Sequence, residues 1–597
     1  MTSPAGAGRS RTLAAAGIIT AVTIAIYWRA IHAGFVGDDF MILHRVRVVD
    51  TVAGVFRFFQ GEFFEYYRPL GFVLHTVDWW IAGANAPQFH LTNLALHAIA
   101  AILVLQIGRA LSPRSLAGPL AALLFALHAS NHEAVVWISA RFDLLATAFS
   151  LAAICSLVHD HRGARTIAPL LFFCALLSKE SAVALPIAAA AYWVFVRAAS
   201  TRETVRRLAP WLAALAIYSV LRQIGGGVSA VGGSGRLPKL AAFVVILGGI
   251  LLLADGRASR AVDWLRGRRT TVLGALLAAV ALAAVSASAG GRIGRLAAEK
   301  LAVAGFALFN LASPAIDVFD RPFYLDPGTT MYWLGGAIAI TLATVAICLL
   351  WHRLLAEGRT IFLIAFVVAT LVPISALTEG TRYLYLPSAA VSLLAGILIA
   401  DVYGRWRAPV FAIAIVYVLV SAVQISMKLR DWVWAGTLTR EGADLVETAR
   451  PPGCGGDHIV FLTSPVAIRG VYTHFYYETF ELPRGCMPDV FQVVVRVVRL
   501  DTEVDVAWDG PSRIVMTAPA YRENFVVSED LRHFDRDVRG EARTMTVRTA
   551  LGELRAEPAG PLGEAERVTL TLAPDVSPAR IRFFYYSGGR MRPLPLP

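Results

Sequence analysis

What most constrains this chain is the recurrence of long apolar runs. A helix needs about 20 mostly apolar residues to cross the hydrocarbon core of a bilayer. Runs near that length recur at 12–33, 89–110, 116–129, 142–159, 166–179, 181–199, 207–223, 237–254, 270–288, 331–351, 360–377, 383–401 and 408–427. In lipid every backbone polar group has to be satisfied within its own segment, so each run predicts a helix. Of the 597 residues, 16% are charged and 56% hydrophobic. Soluble chains average about 25% and 45–50%, and charge this sparse could not cover the surface of several soluble domains. Disorder, a collagen repeat and a disulfide scaffold are excluded too: the 48 Gly have no period and the 5 Cys are too few. The partner implied is the lipid bilayer. The formal charge of +12 fits basic loops facing anionic lipid, with no nucleic acid involved.

Orientation follows from where arginine collects. The first run follows Arg9 and Arg11 and is too long for a cleaved signal peptide, which predicts an uncleaved anchor with a cytoplasmic N-terminus. Basic links follow at Arg109 and Arg114, Arg162 and Arg165, and Arg197 through Arg207. More lie at Arg257 through Arg269, Arg353 and Arg359, and Arg405 and Arg407. With these in the cytoplasm, 34–88, 130–141, 224–236, 314–330 and 378–382 fall outside, with everything after about 430. The apolar stretch 296–313 would then have both ends outside, which predicts a re-entrant or interfacial helix bordering a wet cavity. Beyond Arg430, alternating runs at Phe491–Val498, Val568–Leu572 and Ile581–Tyr586 read as strands. Two domains are expected: a transmembrane domain over 1–430 and a β-rich extracytoplasmic domain over 431–597. Cys155, Cys174 and Cys348 lie within apolar runs and read as packing residues. Cys454 and Cys486 share the tail, where an oxidising compartment would allow a disulfide.

Polar groups gather at the outer mouths. Asp38 and Asp39 stand just beyond the first run with apolar neighbours on both sides. Adjacent carboxylates raise one another's pKa, an arrangement suited to a general base or a metal ligand. A solvated acid pair is the plain alternative. The next outer loop, His128 to Asp143, brings Glu133, Arg141 and Asp143 together and suits a polar, anionic group; capping and salt bridging is the alternative. Read as helix from Asn131 onward, it puts Glu133, Trp137 and Ala140 on one face. His90, Asn93 and His97 share one helix stripe, and Lys179 with Glu180 forms a charged pair at a tight turn. Tyr66-Tyr-Arg68 precedes a short apolar stretch. Arg382 stands at an outer mouth between Glu379, Tyr383 and Tyr385, where a guanidinium can take phosphate oxygens bidentately or act as an interface anchor. The chain has no P-loop, no dinucleotide fingerprint, no HExxH and no paired CxxC, which argues against a nucleotide or zinc as direct ligand.

In order along the chain stand the Asp-Asp pair, YRPL, FHLTNLALH, LLFALHASNHEAVVWISARFDLL, LLSKES and RYLYLPS. Together they resemble the GT-C superfamily of polytopic glycosyltransferases, and most of all its transmembrane and tetratricopeptide-repeat O-mannosyltransferases with their bacterial relatives. The resemblance spans about residues 12–430. It implies a GT-C-like, all-α polytopic membrane bundle of about 13 transmembrane helices plus the re-entrant or interfacial one. It also implies a polyprenyl-phosphate sugar donor, a protein or glycan acceptor on the non-cytoplasmic side, and a plasma-membrane location in a bacterial cell. In that family the acids of the first outer loop act in catalysis, which maps onto Asp38 and Asp39. This chain departs at His128-Ala129, where the family has His-Pro, and at Glu379-Gly-Thr-Arg382, where it has Glu-Arg. It also lacks the repeats and carries an extra pair of runs, 237–254 and 270–288.

The expected mechanism is inverting. Arg382, helped by Arg68 and Lys179, balances the donor phosphate, and Asp38 or Asp39 takes the acceptor proton. His90, Asn93, Glu133, Arg141, Asp143, Glu180, Tyr383 and Tyr385 are the expected substrate-binding residues. No covalent enzyme intermediate is required, and the sequence assigns no definite cofactor. A divalent cation (Mg²⁺, Mn²⁺ or Ca²⁺) bridged by Asp38, Asp39 or Glu133 is an open alternative. Rival readings are a lipid-linked glycan exporter, a polymer ligase, and an anchored binding protein whose tail does the work.

Overall fold

A computed structural model describes residues 4–61, 66–160, 163–225, 236–268, 310–311, 341, 344–345, 347, 349–371, 380–403 and 407–449. In the C-terminal part it describes 458–465, 467–468, 471–472, 489–491, 495–497, 503–517, 525–527, 545–549, 552–559 and 564–597. Most of the stretch 296–313 lies outside these residues, as do the run 270–288, most of 331–348, Glu379, Cys348, Cys454 and Cys486.

The helices are α1 (Pro4–Tyr27), α2 (Asp39–Val46), α3 (Val52–Val55), α4 (Pro69–Ala82), α5 (Ala86–Leu111), α6 (Ala117–Ala126), α7 (His132–Val136), α8 (Arg141–His159) and α9 (Ala164–Ser178). They continue as α10 (Leu185–Ala191), α11 (Thr201–Ile224), α12 (Arg236–Leu252), α13 (Arg257–Gly267), α14 (Gly358–Leu371), α15 (Tyr385–Tyr403) and α16 (Arg407–Ala449). Among the described residues five helical stretches are long and apolar enough to cross a membrane: Ser10–His32, Ala86–Leu111, Ile138–His159, Thr381–Tyr403 and Arg407–Leu445. Five shorter apolar helices accompany them. Their outer surfaces carry Leu13, Ile18, Phe411, Ile413, Val416 and Leu419 exposed, an apolar coat suited to lipid. The chain is an integral membrane protein.

Two compact units emerge. The first comprises Met1–Trp28, Val49–Ala82 and Gln88–Leu429; the second comprises Arg29–Val48, Gly83–Pro87 and Arg430–Pro597.

In the first unit α8 packs on α9 and α6 on α15. The latter contact is close: a Cβ on Gly396 would lie 2.6 Å from the Ala121 nitrogen, the small-residue approach by which helices associate in lipid. Aromatic rings fill the space beside it, with Tyr27 edge-on to His97 and both Phe125 and Tyr385 against the same imidazole. The helix read from Asn131 onward is broken. It runs only His132–Val136, because Trp137 turns extended (φ −71°, ψ 119°) before a short turn at Ile138–Ala140. The run at 181–199 likewise divides into a tight turn at Glu180–Ala184, α10, and a wide turn at Tyr192–Val196.

The second unit holds the strands. One sheet has the order β7 (Arg590–Leu594), β6 (Ile581–Ser587), β1 (His458–Phe461), β2 (Asp489–Phe491). There β1 runs parallel to both neighbours, with His458 opposite Ile581 and Asp489. The larger sheet is built around the antiparallel pair β4 (Gly552–Ala559) and β5 (Glu564–Leu572), the latter also pairing with β3 (Arg513–Thr517). Alternation puts Ile514 and Met516 inside, opposite the buried Leu570 and Val568. Also in this unit, Gly34 and Gly436 meet so closely that a Cβ on Gly436 would sit 2.2 Å from the Gly34 nitrogen.

Candidate active site

Three cation–carboxylate pairs converge in the first unit. The first is made by a turn. Gly380 adopts φ +98°, a conformation that side-chain-bearing residues rarely adopt, and the chain then turns through Thr381–Leu384 into α15. This exposes the Arg382 N–H to Glu133 of α7, which accepts it at 2.9 Å, together with the Thr381 hydroxyl at 3.2 Å. The same carboxylate pairs with the Arg382 guanidinium. A Cβ at position 380 would also crowd Arg382 Nη1 and Glu133 Oε1, so filling it would shift the ends of the paired side chains. Burial alone would raise the Glu133 carboxyl; the Arg382 charge and N–H outweigh it and hold it below the ordinary carboxylate range.

The second pair is Lys179 with Asp143. Lys179 ends α9 in an extended conformation, which turns its ammonium onto both oxygens of Asp143, in the first turn of α8, at 2.6 Å each. Both side chains are more than 90% buried. In the third, Arg68 forks onto Glu180, Nε to Oε2 at 2.9 Å and Nη2 to Oε1 at 2.5 Å. Burial works against the Arg68 charge and the Glu180 carboxylate outweighs it, raising its pKa. Lys179 and Glu180, expected to pair with each other, therefore take partners on different elements.

Tyr383 ties two of the pairs together. Its ring lies 4.5 Å from Lys179 Nζ and 4.6 Å from the Arg382 guanidinium, which stacks on Trp137 at 4.6 Å as well. Arg68 sits over Tyr66 at 4.5 Å. Both guanidinium charges act on Lys179. Exposure is graded, from the Lys179–Asp143 pair at 4% and 8% to Glu180 at 31%.

Beneath this cluster lies a sealed one. Arg141 is wholly buried and donates to Asn93 Oδ1 (2.8 Å), the Phe89 carbonyl (2.8 Å) and the Leu74 carbonyl (3.3 Å), and it pairs with Asp78 at 2.7 Å. Asn93 in turn donates to the carbonyls of Val135 and Trp137, fixing the loop that carries Glu133. Asp78 also accepts from Gln88 and Thr92. Arg141 and Asn93, expected to touch substrate, are thus buried with protein partners on each, and Asn93 holds the backbone that follows Glu133. Asp78 escaped the sequence reading, although a carboxylate inside the apolar α4 is the signal that could have found it. Of the stripe on α5, His90 is buried. His97 gives its Nε2 proton to the Ala126 carbonyl (3.1 Å), so its Nδ1 accepts the Tyr385 hydroxyl at 2.7 Å.

Asp38 and Asp39 belong to the second unit. Asp39 is buried and accepts the Val36 N–H through Oδ2 at 2.9 Å, closing a tight turn with Gly37 at φ +53°. Asp38 stands just before α2 and is only half-buried. Among the described residues no three His, Cys, Asp or Glu side chains gather as a metal site.

No protein-family model matches the chain. In sequence it is 30% identical over 150 residues to the mouse protein O-mannosyl-transferase TMTC3, covering 23% of this chain and 16% of that protein. The chain spans less than a third of the length of the curated relatives it matches. Among solved structures, the Archaeoglobus fulgidus oligosaccharyltransferase aligns with TM-score 0.44 and 13% identity over 80% of this chain and 62% of its own. ArnT from Cupriavidus metallidurans, bound to undecaprenyl phosphate, aligns with TM-score 0.34 and 16% identity over 80% of this chain and 85% of its own. The chain is thus similar, by sequence over its matched stretch, to the protein O-mannosyltransferases, the branch of the GT-C polytopic glycosyltransferases that its motifs resemble.

Proposed function

We propose that the protein is a membrane glycosyltransferase that moves a sugar, in the nearest reading mannose, from a polyprenyl-phosphate donor to an acceptor hydroxyl on a protein or glycan at the non-cytoplasmic face. The observation that carries this reading is the convergence of Arg68, Lys179 and Arg382, each held by its own carboxylate: Lys179 and Arg382 share the Tyr383 ring, and both guanidinium charges act on Lys179. The chemistry follows from charge. A phosphodiester donor carries one negative charge, and the phosphate that leaves carries about 1.5 to 2. Fixed cations therefore attract the departing group more strongly than the ground state, which is the condition for accelerating transfer.

Attack by the acceptor oxygen on the anomeric carbon, opposite the phosphate, forms the new glycosidic bond as the C–O bond to phosphate breaks, with inversion. The acceptor proton goes to a carboxylate of the first loop. Asp38 is the better candidate for that base, being the less deeply buried of the two. Asp39 shapes the turn that presents it.

The test uses the purified full-length chain in detergent with a panel of radiolabelled polyprenyl-phosphate sugars. One donor should be consumed by the native protein and spared by the Asp38→Asn/Asp39→Asn double variant, which should still insert into membranes. If the whole panel is untouched, or the double variant turns over normally, the reading fails.

A further inference from the structure

α8 and α9 pack side by side, and the three-pair cluster occupies one end of that pair, at the start of α8 and the end of α9. At the other end is a cleft of about 250 Å³ that the proposed reaction does not use, lined among others by Leu157, Asp160, Arg165, Trp193, Arg207 and Trp211. The 19 residues of α8 separate the two ends by about 28 Å at 1.5 Å per residue. That is close to the roughly 30 Å thickness of a hydrocarbon core.

Three properties of the cleft act together. It is basic: Arg165, Arg206 and Arg207 line it against Asp160 as the single acid of the lining. In sequence the two links here hold six arginines, Arg162, Arg165, Arg197, Arg202, Arg206 and Arg207, against Asp160 and Glu203. Asp160 is engaged by Arg197 at 2.7 Å and Glu203 by Arg206 and Arg207 at 2.6 Å. Arg165 makes no ion pair among the described residues. The cleft also has a rigid aromatic wall: Trp193 and Trp211 are 4% and 1% exposed and meet edge to face. Finally, apolar side chains are exposed on the same helices: Ile167 and Leu170 flank the lining residue Ala168 on α9, and Leu212 follows the lining residue Trp211 on α11.

We infer that this cleft seats the headgroup of an anionic glycerophospholipid, with Arg165, Arg206 and Arg207 on its phosphate and its acyl chains along Ile167, Leu170 and Leu212. A free anion would use the arginines alone. The exposed apolar side chains are what favour a lipid, since they gain only from a ligand with a hydrocarbon tail. The seat is built from residues outside the transfer cluster and stands or falls independently of the proposed reaction.

Native mass spectrometry of the full-length protein released from detergent tests it, using phosphatidylglycerol, phosphatidylcholine and inorganic phosphate as probes. The native chain should retain phosphatidylglycerol in preference to phosphatidylcholine, and excess inorganic phosphate should not displace it. Removing two cations from contact with an anionic headgroup, in Arg165→Gln/Arg206→Gln, should weaken retention about 30-fold. Should that pair fail to fold, Arg165→Glu alone, at an exposed position, should still weaken it. Unchanged retention in a folded variant, equal retention of phosphatidylcholine, or displacement by inorganic phosphate would each overturn the lipid assignment.

Discussion

Glu133 grips Arg382 twice, through the guanidinium and through the backbone N–H at 2.9 Å. One carboxylate therefore sets both where the cation sits and how α15 begins. Glu133→Gln keeps an acceptor for the N–H and removes the charge that orients the guanidinium. Transfer should fall by about 10²-fold, in line with the loss of one preorganised electrostatic group, with little change in folding. Glu133→Ala loses both contacts in a site 12–16% exposed, and should cost about 2 kcal/mol of stability as well. Thermal unfolding of the two variants in detergent, set beside donor turnover, separates the effects.

The same pair fixes a pH dependence. Although burial opposes it, Arg382 holds the Glu133 carboxyl below its ordinary value of 4.5. A carboxyl lowered on folding contributes stability that is fully present above the unfolded value and is lost as pH falls through the folded one. The melting temperature of the native chain should thus carry a decline beginning below about pH 4.5 that Glu133→Gln lacks. Parallel declines in both proteins would show that other groups dominate the acid transition.

Arg141 and Asp78 are 0% and 2% exposed. Removing one leaves the other charged and buried, at a cost of about 3–5 kcal/mol. Arg141→Met should give little folded protein, whereas Arg141→Met with Asp78→Leu should recover much of it, as replacing a whole buried pair by apolar residues often does. Size-exclusion yield and melting temperature read this out. A stable Arg141→Met protein with only a raised donor KM would return Arg141 to the substrate-binding set.

Gly380→Ala places a methyl in the gap between Arg382 and Glu133 at a backbone φ of +98°. Strain of that kind costs about 1–3 kcal/mol, and relief requires the guanidinium to move. Donor KM should rise together with the loss in melting temperature. A variant that binds donor like the native chain would mean that Arg382 does not contact it.

The membrane class, the positions of most described helices and the local charge of the site could be read from residue order, because apolar length and arginine placement are one-dimensional signals. Glu133, Asp143, Lys179 and Arg382 stood out individually for the same reason. Their pairing could not be read. Glu133 and Arg382 are 249 positions apart, and adjacency misleads at Lys179 and Glu180, whose side chains leave a turn in different directions. Arg141 looked like a ligand-binding arginine because its sequence neighbours are polar. Its surroundings are set by α4 and α5, and only packing shows that Asp78, Asn93 and two carbonyls already occupy it. Trp137 ends a helix that periodicity would have continued, held by an Asn93 bond that no local pattern announces.

With Glu133, Asp143 and Glu180 answering Arg382, Lys179 and Arg68, the three pairs carry no net formal charge. On the proposed reading an anion has to displace a carboxylate to reach its cation, so a dilute water-soluble sugar phosphate competes poorly. A donor whose tail dissolves in the bilayer, at about 0.8 kcal/mol for each methylene, is concentrated at the membrane before it meets the cluster. Under that proposal, neutrality acts as a sieve that favours amphiphiles.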